Sequence, residues 1–561
     1  MNSDIPDPLE VADYDLDSTI ATSAFPPDSD SAIRKADVPA VKMTYSIYAL
    51  FVLFLVNVLI LMDRQILTVL AEDIKIDLNL SDADIGFVYG TAISVFYAIF
   101  SIPLGRLADV WVRKRLLGLC VASWSLMIFL TGSARNFVSF AFCRIAVGVG
   151  EAGAAPAALS MIADYFPARL RSTAMSVFGA GVPIGMGLGI FLGGFILDGW
   201  NNAYPEVGLA PFGLKGWQVA FFAVAATGPL LALWLLSLAE PVRGQSDGLV
   251  VTAPHPKPFQ AAWTEMQSVV PLLSLPILRR LEGGYRAVRL NLIIAGIITL
   301  LVTLLIALTG SVAQWTALGV GAWCVTCWAQ TLALRDPALF AMIIHCRSLL
   351  FSNFGLAGFV FVTTGVAAWI VPFLIRVHGI SASEAGEVIG LLTVVFGFTG
   401  TMLGGVLADF LERFTPRARL YVIIGALVLS VGSAVLMLLA ETTTEAYTYI
   451  ALFLLTSSSW YGIGPSIANG LVMPRMRGVS SAFYLIVISL LGVAMGPYVI
   501  GHISDVIAAS GLERGESLRQ GMLWAMLSLF FTAPALLIAA FYLPDDDASR
   551  LERARALGEE V

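Results

Sequence analysis

Apolar stretches of about twenty residues, the length that crosses a bilayer core as a helix, recur along the chain with short polar punctuation between them. They predict helices at roughly 45–70, 81–106, 114–133, 137–165, 172–197 and 216–239. The pattern then breaks from Glu240 to about Leu290, where a Pro-His-Pro-Lys-Pro run (Pro254 to Pro258) precedes Arg279, Arg280, Arg286 and Arg289. Two compact apolar runs follow, near 291–309 and 312–334. Six more lie at roughly 341–376, 384–408, 419–440, 447–473, 478–503 and 519–543, the longest beginning as interfacial turns. The pattern describes an all-α integral membrane protein with about 14 transmembrane helices.

Polar segments divide this array. Residues 1–44 form an N-terminal tail, rich in Asp, Ser and Pro, that is expected to be disordered and cytoplasmic. Residues 45–239 are a first six-helix bundle, 240–290 a cytoplasmic central loop, and 291–335 two inserted helices. Residues 340–543 make a second six-helix bundle, and 544–561 a cytoplasmic C-terminal tail. The tail lacks the basic start and apolar centre of a cleaved signal, so the first helix is expected to serve as the insertion signal.

Composition agrees with a lipid-solvated chain. Of the 561 residues, 58% are hydrophobic and 13% charged, against about 25% charged in soluble domains. The net charge of -7 owes much to the acidic tail, and no basic surface for nucleic acid appears. Five cysteines, four within apolar runs, do not make a disulfide framework. Cys324 and Cys327 share one helix face with no second ligand pair, so no metal is expected. Walker loop, nucleophile elbow and HExxH motif are all missing, which argues against an enzyme or a primary pump.

Charge orients the helices. One set of loops carries Arg113, Lys114 and Arg115; Arg169 and Arg171; the four arginines before Leu290; Arg413, Arg417 and Arg419; and Arg475 and Arg477. The alternate set is acidic or neutral: Glu72, Asp73, Asp77, Asp82 and Asp84, then Glu441 and Glu445. By the positive-inside rule both termini are expected in the cytoplasm, in a multi-pass protein of a bacterial inner membrane.

The chain repeats itself. GRLADVWVRKR (Gly105 to Arg115) is echoed by GGVLADFLER (Gly404 to Arg413), matching Gly105 with Gly405, Asp109 with Asp409 and Arg113 with Arg413. Pro156, Arg171 and Ala174 are echoed by Pro465, Arg477 and Ala482, and glycine-rich helices end in Asp198 and Asp505. Three echoes in one order mean two related six-helix halves. The first echo is expected to be a cytoplasmic gate. Its glycines would allow close helix approach, its aspartates would accept from an opposing helix N-terminus, and its arginines would pair or meet lipid phosphate. A merely topogenic basic loop is the alternative. Gly181, Pro183, Gly185, Gly187, Gly189, Gly193 and Gly194 crowd one helix, and Gly492, Gly496, Pro497 and Gly501 its partner. They suit a moving interface or a static packing seam.

On these residues the chain resembles the major facilitator superfamily, and its first half is similar to the Spinster-like branch. The resemblance rests on MDRQIL (Met62 to Leu67), the GRLADVWVRKR loop, RIAVGVGEAGAAP (Arg144 to Pro156) and DYFPARLRSTA (Asp164 to Ala174). It covers 45–240 and, more weakly, 340–543. It implies a major facilitator fold of two pseudo-symmetric bundles, here with two extra helices between them that depart from the twelve-helix pattern.

Asp63, Arg64, Arg144 and Glu151 are ionisable residues inside predicted spans, where each costs about 2.5–3.5 kcal/mol near the centre. Counting along the helices puts Asp63, Arg64 and Arg144 at one depth and Glu151 roughly 10 Å further in on the face of Arg144. A carboxylate in low dielectric resists ionisation and a nearby guanidinium opposes that, so helix movement can link protonation to conformation. The resemblance implies substrate engagement and proton coupling for these four residues; a fixed structural charge network is the alternative. In the second half Trp369, Arg376, Trp460, Tyr461 and Asn469 are candidate lining residues of a substrate cavity, or packing residues. His378 and Glu387 read as loop residues.

The expected function is a secondary transporter working by alternating access, driven by a proton gradient without a bound cofactor and acting as a monomer in the lipid bilayer. Its expected cargo is a small amphipathic or anionic solute, the resemblance implying lysophospholipids or sphingoid lipids. The alternatives are an organic-anion or drug facilitator, or a transport-inactive receptor or scaffold.

Overall fold

A computed structural model describes residues 33–34, 42–206, 208, 210–243, 250–251, 256–281, 284–473 and 476–557. Most of the N-terminal tail, Arg475 and the side chain of Arg169 therefore lie outside the described residues.

The first half is built from α1 (Met43–Leu78), α2 (Asp82–Val110), α3 (Arg113–Gly132), α4 (Phe137–Tyr165), α5 (Thr173–Ala203) and α6 (Gly216–Ser237). Local chemistry sets the turns. Asn79 takes the left-handed conformation (φ 51°) that ends α1. Ser81 then caps α2 in a reciprocal box with Asp84. Within α4 the regular helix stops after Glu151 and resumes at Ala154, so Glu151 sits at a break.

Two short amphipathic helices follow, α7 (Pro258–Val269) and α8 (Pro271–Arg280), each with proline in its first turn. They correct the expectation of a plain loop over 240–290: apolar faces ending in Val269 and Leu278 have α2 and the inserted helices to pack on. The inserted pair is α9 (Gly284–Thr309) and α10 (Val312–Arg335). Asn291 pins them together, accepting from Trp323 Nε1 at 2.9 Å and donating to Gln330 Oε1 at 2.8 Å.

A short α11 (Pro337–Ile344) leads into the second half: α12 (Arg347–His378), α13 (Ala382–Glu412), α14 (Ala418–Leu439), α15 (Thr443–Ser457), α16 (Trp460–Gly470), α17 (Arg477–Ala508) and α18 (Arg514–Ala548). Among the described residues thirteen helices are long and apolar enough to cross a membrane. The crossing expected at 447–473 is split between α15 and α16, because Ser457 to Ser459 interrupt it. The C-terminal segment is no free tail from 544. Helix α18 runs to Ala548 and α19 covers Arg550–Ala556. Asp546 accepts from Ser348 N at 2.7 Å, and Arg550 donates to the Gly470 carbonyl. A two-residue ladder pairing Ile33–Arg34 with Val250–Val251 is the one β feature described.

The halves meet unevenly. Toward the face bearing Asp82, Asp198 and Asp505, α5 packs on α13 and α2 on α17. Contact there is backbone to backbone: a Cβ on Gly187 would collide with the Gly390 carbonyl, and one on Gly501 with that of Asp82. The α5–α13 approach reaches Pro183 beside Gly397. On the opposite, basic face α10 packs beside α2 and α17, with Trp328 and Cys324 against Ala98, Ile99 and Ile486.

Candidate substrate and ion-coupling site

The four ionisable residues of α1 and α4 converge. Arg64 donates from Nε and Nη2 to one oxygen of Glu151, at 2.9 and 2.6 Å. The Glu151 side chain is fully buried while that of Arg64 is 26% exposed. The pair therefore has a sealed acid and an accessible guanidinium, which also lies over the Tyr97 ring, 5.1 Å from its centroid. Arg144 is fully buried, and its Nη1 lies 3.5 Å from the Asp63 carbonyl. Among the described residues both Asp63 carboxylate oxygens, Glu151 Oε1, and Nε and Nη2 of Arg144 have no hydrogen-bond partner. The site thus holds two acids and two guanidiniums with one ion pair made and polar capacity left over. Such a cluster can exchange partners when a proton or an anion arrives.

Sequence reasoning missed the aromatic and amide groups around it. Tyr89 donates to Gln65 Oε1 at 2.9 Å, and Tyr97 supports Arg64. Both follow the π turn Phe87–Thr91 or lie in it, and that turn shifts the helix face. Their signal was a pair of tyrosines eight residues apart in an apolar span. From the second half come Trp460 and Tyr461, both expected from the sequence, stacked with ring centroids 4.3 Å apart. Trp460, Tyr461 and Tyr89 line a small cavity together with Pro183, Thr363 and Thr401.

Three expected cavity residues lie elsewhere. Trp369 is buried and donates to the Pro497 carbonyl at 2.9 Å, which makes it part of the α12–α17 packing. Asn469 accepts from Ser481 at 2.9 Å, between α16 and α17. Arg376 crosses between the halves: it forks onto Asp82 with two 2.8 Å bonds and onto Glu72 Oε1 at 2.9 and 2.6 Å. Lys75 and Ser504 also bind Asp82. Glu72 and Asp82 had been read only as orienting charges.

The residues of the first echo lie on the basic face, and in this conformation most of them make no contact between the halves. Gly105 and Gly405 have open space where a Cβ would stand, so neither brings helices together here. Gly404 does, against Ser459. Asp109, Asp409 and Arg413 are exposed. Arg113 is instead buried within its own bundle, bonded to Asp164 at 2.5 Å, Glu240 at 2.9 Å, Ser160 at 2.8 Å and the Pro241 carbonyl at 2.8 Å. Carboxylates do cap opposing helices, but from the third echo. Asp505, on α17, accepts from Asp82 N at 3.0 Å and Ala83 N at 2.7 Å. Asp198, on α5, accepts from Ser383 N at 2.6 Å. Each half thus caps a helix of the other, in a pseudo-twofold pair that closes the acidic face.

Two six-helix bundles with reciprocal contacts and a charged centre define a membrane transporter. The chain belongs to the Major Facilitator Superfamily, whose family model matches residues 53–497; it is a transporter family, not an enzyme family. Within it the chain is similar to the Spinster-like branch. It is 28% identical to protein spinster homolog 1 of Mus musculus over 83% of this chain and 74% of that protein. It is 25% identical to an MFS-type efflux pump of Mycolicibacterium smegmatis, over 82% and 84%. Among solved structures, a bacterial homologue of the human lysosomal transporter Spinster, inward-facing and unoccupied, matches with a TM-score of 0.64 at 25% identity, covering 90% of this chain and 99% of that one.

Proposed function

We propose that this protein is a proton-coupled secondary transporter for an amphipathic or anionic organic solute, a lysophospholipid or sphingoid-type lipid being the favoured cargo. The observation that carries the reading is the Arg64–Glu151 pair, with its acid sealed and its guanidinium accessible. Protonating Glu151 removes the charge that holds Arg64, and an anionic headgroup can then take the guanidinium bidentately. Tyr97 offers its ring face beside that position. Asp63 and Arg144, both fully buried on the same two helices, supply a further acid and guanidinium whose side chains make no ion pair among the described residues.

The positive-inside rule supports a cytoplasmic basic face and cytoplasmic termini. On that orientation the closed acidic face is external, in a bacterial inner membrane. Its contacts are compatible with action as a monomer. No cofactor enters the scheme, and the proton gradient supplies the driving force.

The test is uptake into liposomes with an imposed pH gradient, screening lysolipids beside small organic anions. Glu151→Gln should abolish gradient-driven transport while leaving substrate binding measurable. Unchanged gradient-driven uptake in that variant sinks the coupling role. A second reading, export of a drug or organic anion, is favoured by the similarity to the mycobacterial efflux pump. Saturable flux of a small water-soluble anion with no competition by lysolipids would select it.

A further inference from the structure

The four arginines at the start of the inserted pair have so far served only to orient it. Arg279 and Arg280 close α8, and Arg286 and Arg289 lie in the first two turns of α9. All four are exposed. Arg286 and Arg289 stand three residues apart, on neighbouring positions of one helix face. Arg279 donates to Tyr285 Oη at 2.6 Å and lies over its ring, which fixes one guanidinium; among the described residues Arg280, Arg286 and Arg289 make no ion pair. Large apolar groups surround this band: Phe259, Trp263, Leu272, Tyr285 and Leu290 are all exposed. Of the acidic residues between 256 and 290, Glu265 is half-buried on α7 and Glu282 lies outside the described residues.

Depth comes from the neighbours. Beyond the arginines α9 presents Leu292, Ile293 and Ile297 outward, and Asn291 is its one buried residue among those described. A helix apolar nearly all round faces lipid. The band therefore sits where lipid hydrocarbon ends and headgroups begin, with Trp263 and Tyr285 as interfacial aromatics. Guanidiniums at that level match phosphodiesters in charge and in forked geometry.

We propose that Arg279, Arg280, Arg286 and Arg289 form a binding site for the headgroups of anionic phospholipids, on the α8–α9 corner. Occupancy there reaches the carrier core through α10. The buried Gln314 lies 2.7 Å from the Thr91 hydroxyl of α2, which is 2.8 Å from the Ala494 carbonyl of α17. Trp315 meets Tyr498 edge-on in the same place. The inserted pair thus touches both halves at their shared seam.

The full-length protein is purified from membranes of mixed phospholipids, and the lipid retained is measured by native mass spectrometry. Phosphatidylglycerol should be retained over phosphatidylcholine. Each arginine near an anionic surface contributes about fivefold, so the fourfold Arg→Gln variant should lose at least tenfold of that preference, whereas the fourfold Arg→Lys variant should keep most of it. Because the readout is binding, it is independent of which solute is carried and of proton coupling. Equal retention of the two lipids by the wild type, or an unchanged preference in the Gln variant, overturns the proposal. Displacement of the lipid by inorganic phosphate would assign the band to a soluble anion and overturns it too. If the Gln variant does not assemble, Arg286→Gln with Arg289→Gln alone, which spares the Arg279–Tyr285 contact, must still reduce the preference.

Discussion

Replacing Asp505 by asparagine probes the closed face of the transporter directly. Both oxygens of Asp505 accept backbone N–H groups at the start of α2, at 3.0 Å from Asp82 and 2.7 Å from Ala83. Asparagine keeps one acceptor oxygen, turns an NH2 group toward the second donor, and removes the negative charge from a helix N-terminus. A hydrogen bond to a charged group is worth about 1.5–3 kcal/mol and a charge at a helix end about 0.3–1 kcal/mol. Asp505 is partly exposed and the freed groups rehydrate when this face opens, so the lower end applies. A loss of about 1.5–2 kcal/mol shifts the ratio of open to closed acidic face by roughly 10- to 30-fold. Spin labels on Asn202 and Glu513, exposed residues of the first and second half at this face, report the opening as a longer distance. The five native cysteines are buried, which favours selective labelling. Asp198→Asn should act in the same direction through its bond to Ser383. If Asp505→Asn leaves the distance distribution unchanged in every condition that opens the wild type, the caps do not hold the face closed and the reasoning fails.

Arg376→Lys loses the fork that joins Glu72 and Asp82. It should raise the population open at the acidic face while leaving substrate affinity within about twofold, a pattern compatible with a gate; a changed affinity with no shift in spin-label distances would return Arg376 to the cavity. Arg113→Gln leaves Asp164 and Glu240 without their buried partner. Removing one member of such a cluster costs about 3 kcal/mol or more, so thermal unfolding in detergent should move down by several degrees, and an unchanged transition would mean that the cluster is solvated.

Much of the architecture was legible because lipid imposes a one-dimensional code. A span must be apolar for about twenty residues whatever it packs against, so helix positions follow from local composition. The break at Ser457 to Ser459 and the helices α7 and α8 were harder to read. Their form depends on neighbours: α7 is stable because Val269 is buried, and nothing in its own residues says by what. Asp63, Arg64, Arg144 and Glu151 could be found because charge inside a span is costly and therefore conspicuous. Tyr89 and Tyr97 could not, since tyrosine is ordinary in membrane helices.

The gate shows the same limit from another side. The repeat predicts a carboxylate on an opposing helix N-terminus for Asp109 and Asp409 of the basic face, and both are exposed in this conformation. The contact is made by Asp198 and Asp505, which repeat in the same way. Repetition identifies equivalent positions in two halves but not the distance between them in a given conformation.

By itself, then, the sequence determined the membrane habitat, the two related halves, the inserted pair and the cluster of buried charges, because hydropathy and repetition are properties of the chain read in order. Only the tertiary structure decided that Arg64 holds Glu151, that Arg376 bridges the halves, and that the acidic face is the closed one. Those facts depend on angstrom-scale distances between residues up to 423 positions apart, and such distances are set by how helices pack rather than by the residues of either helix alone.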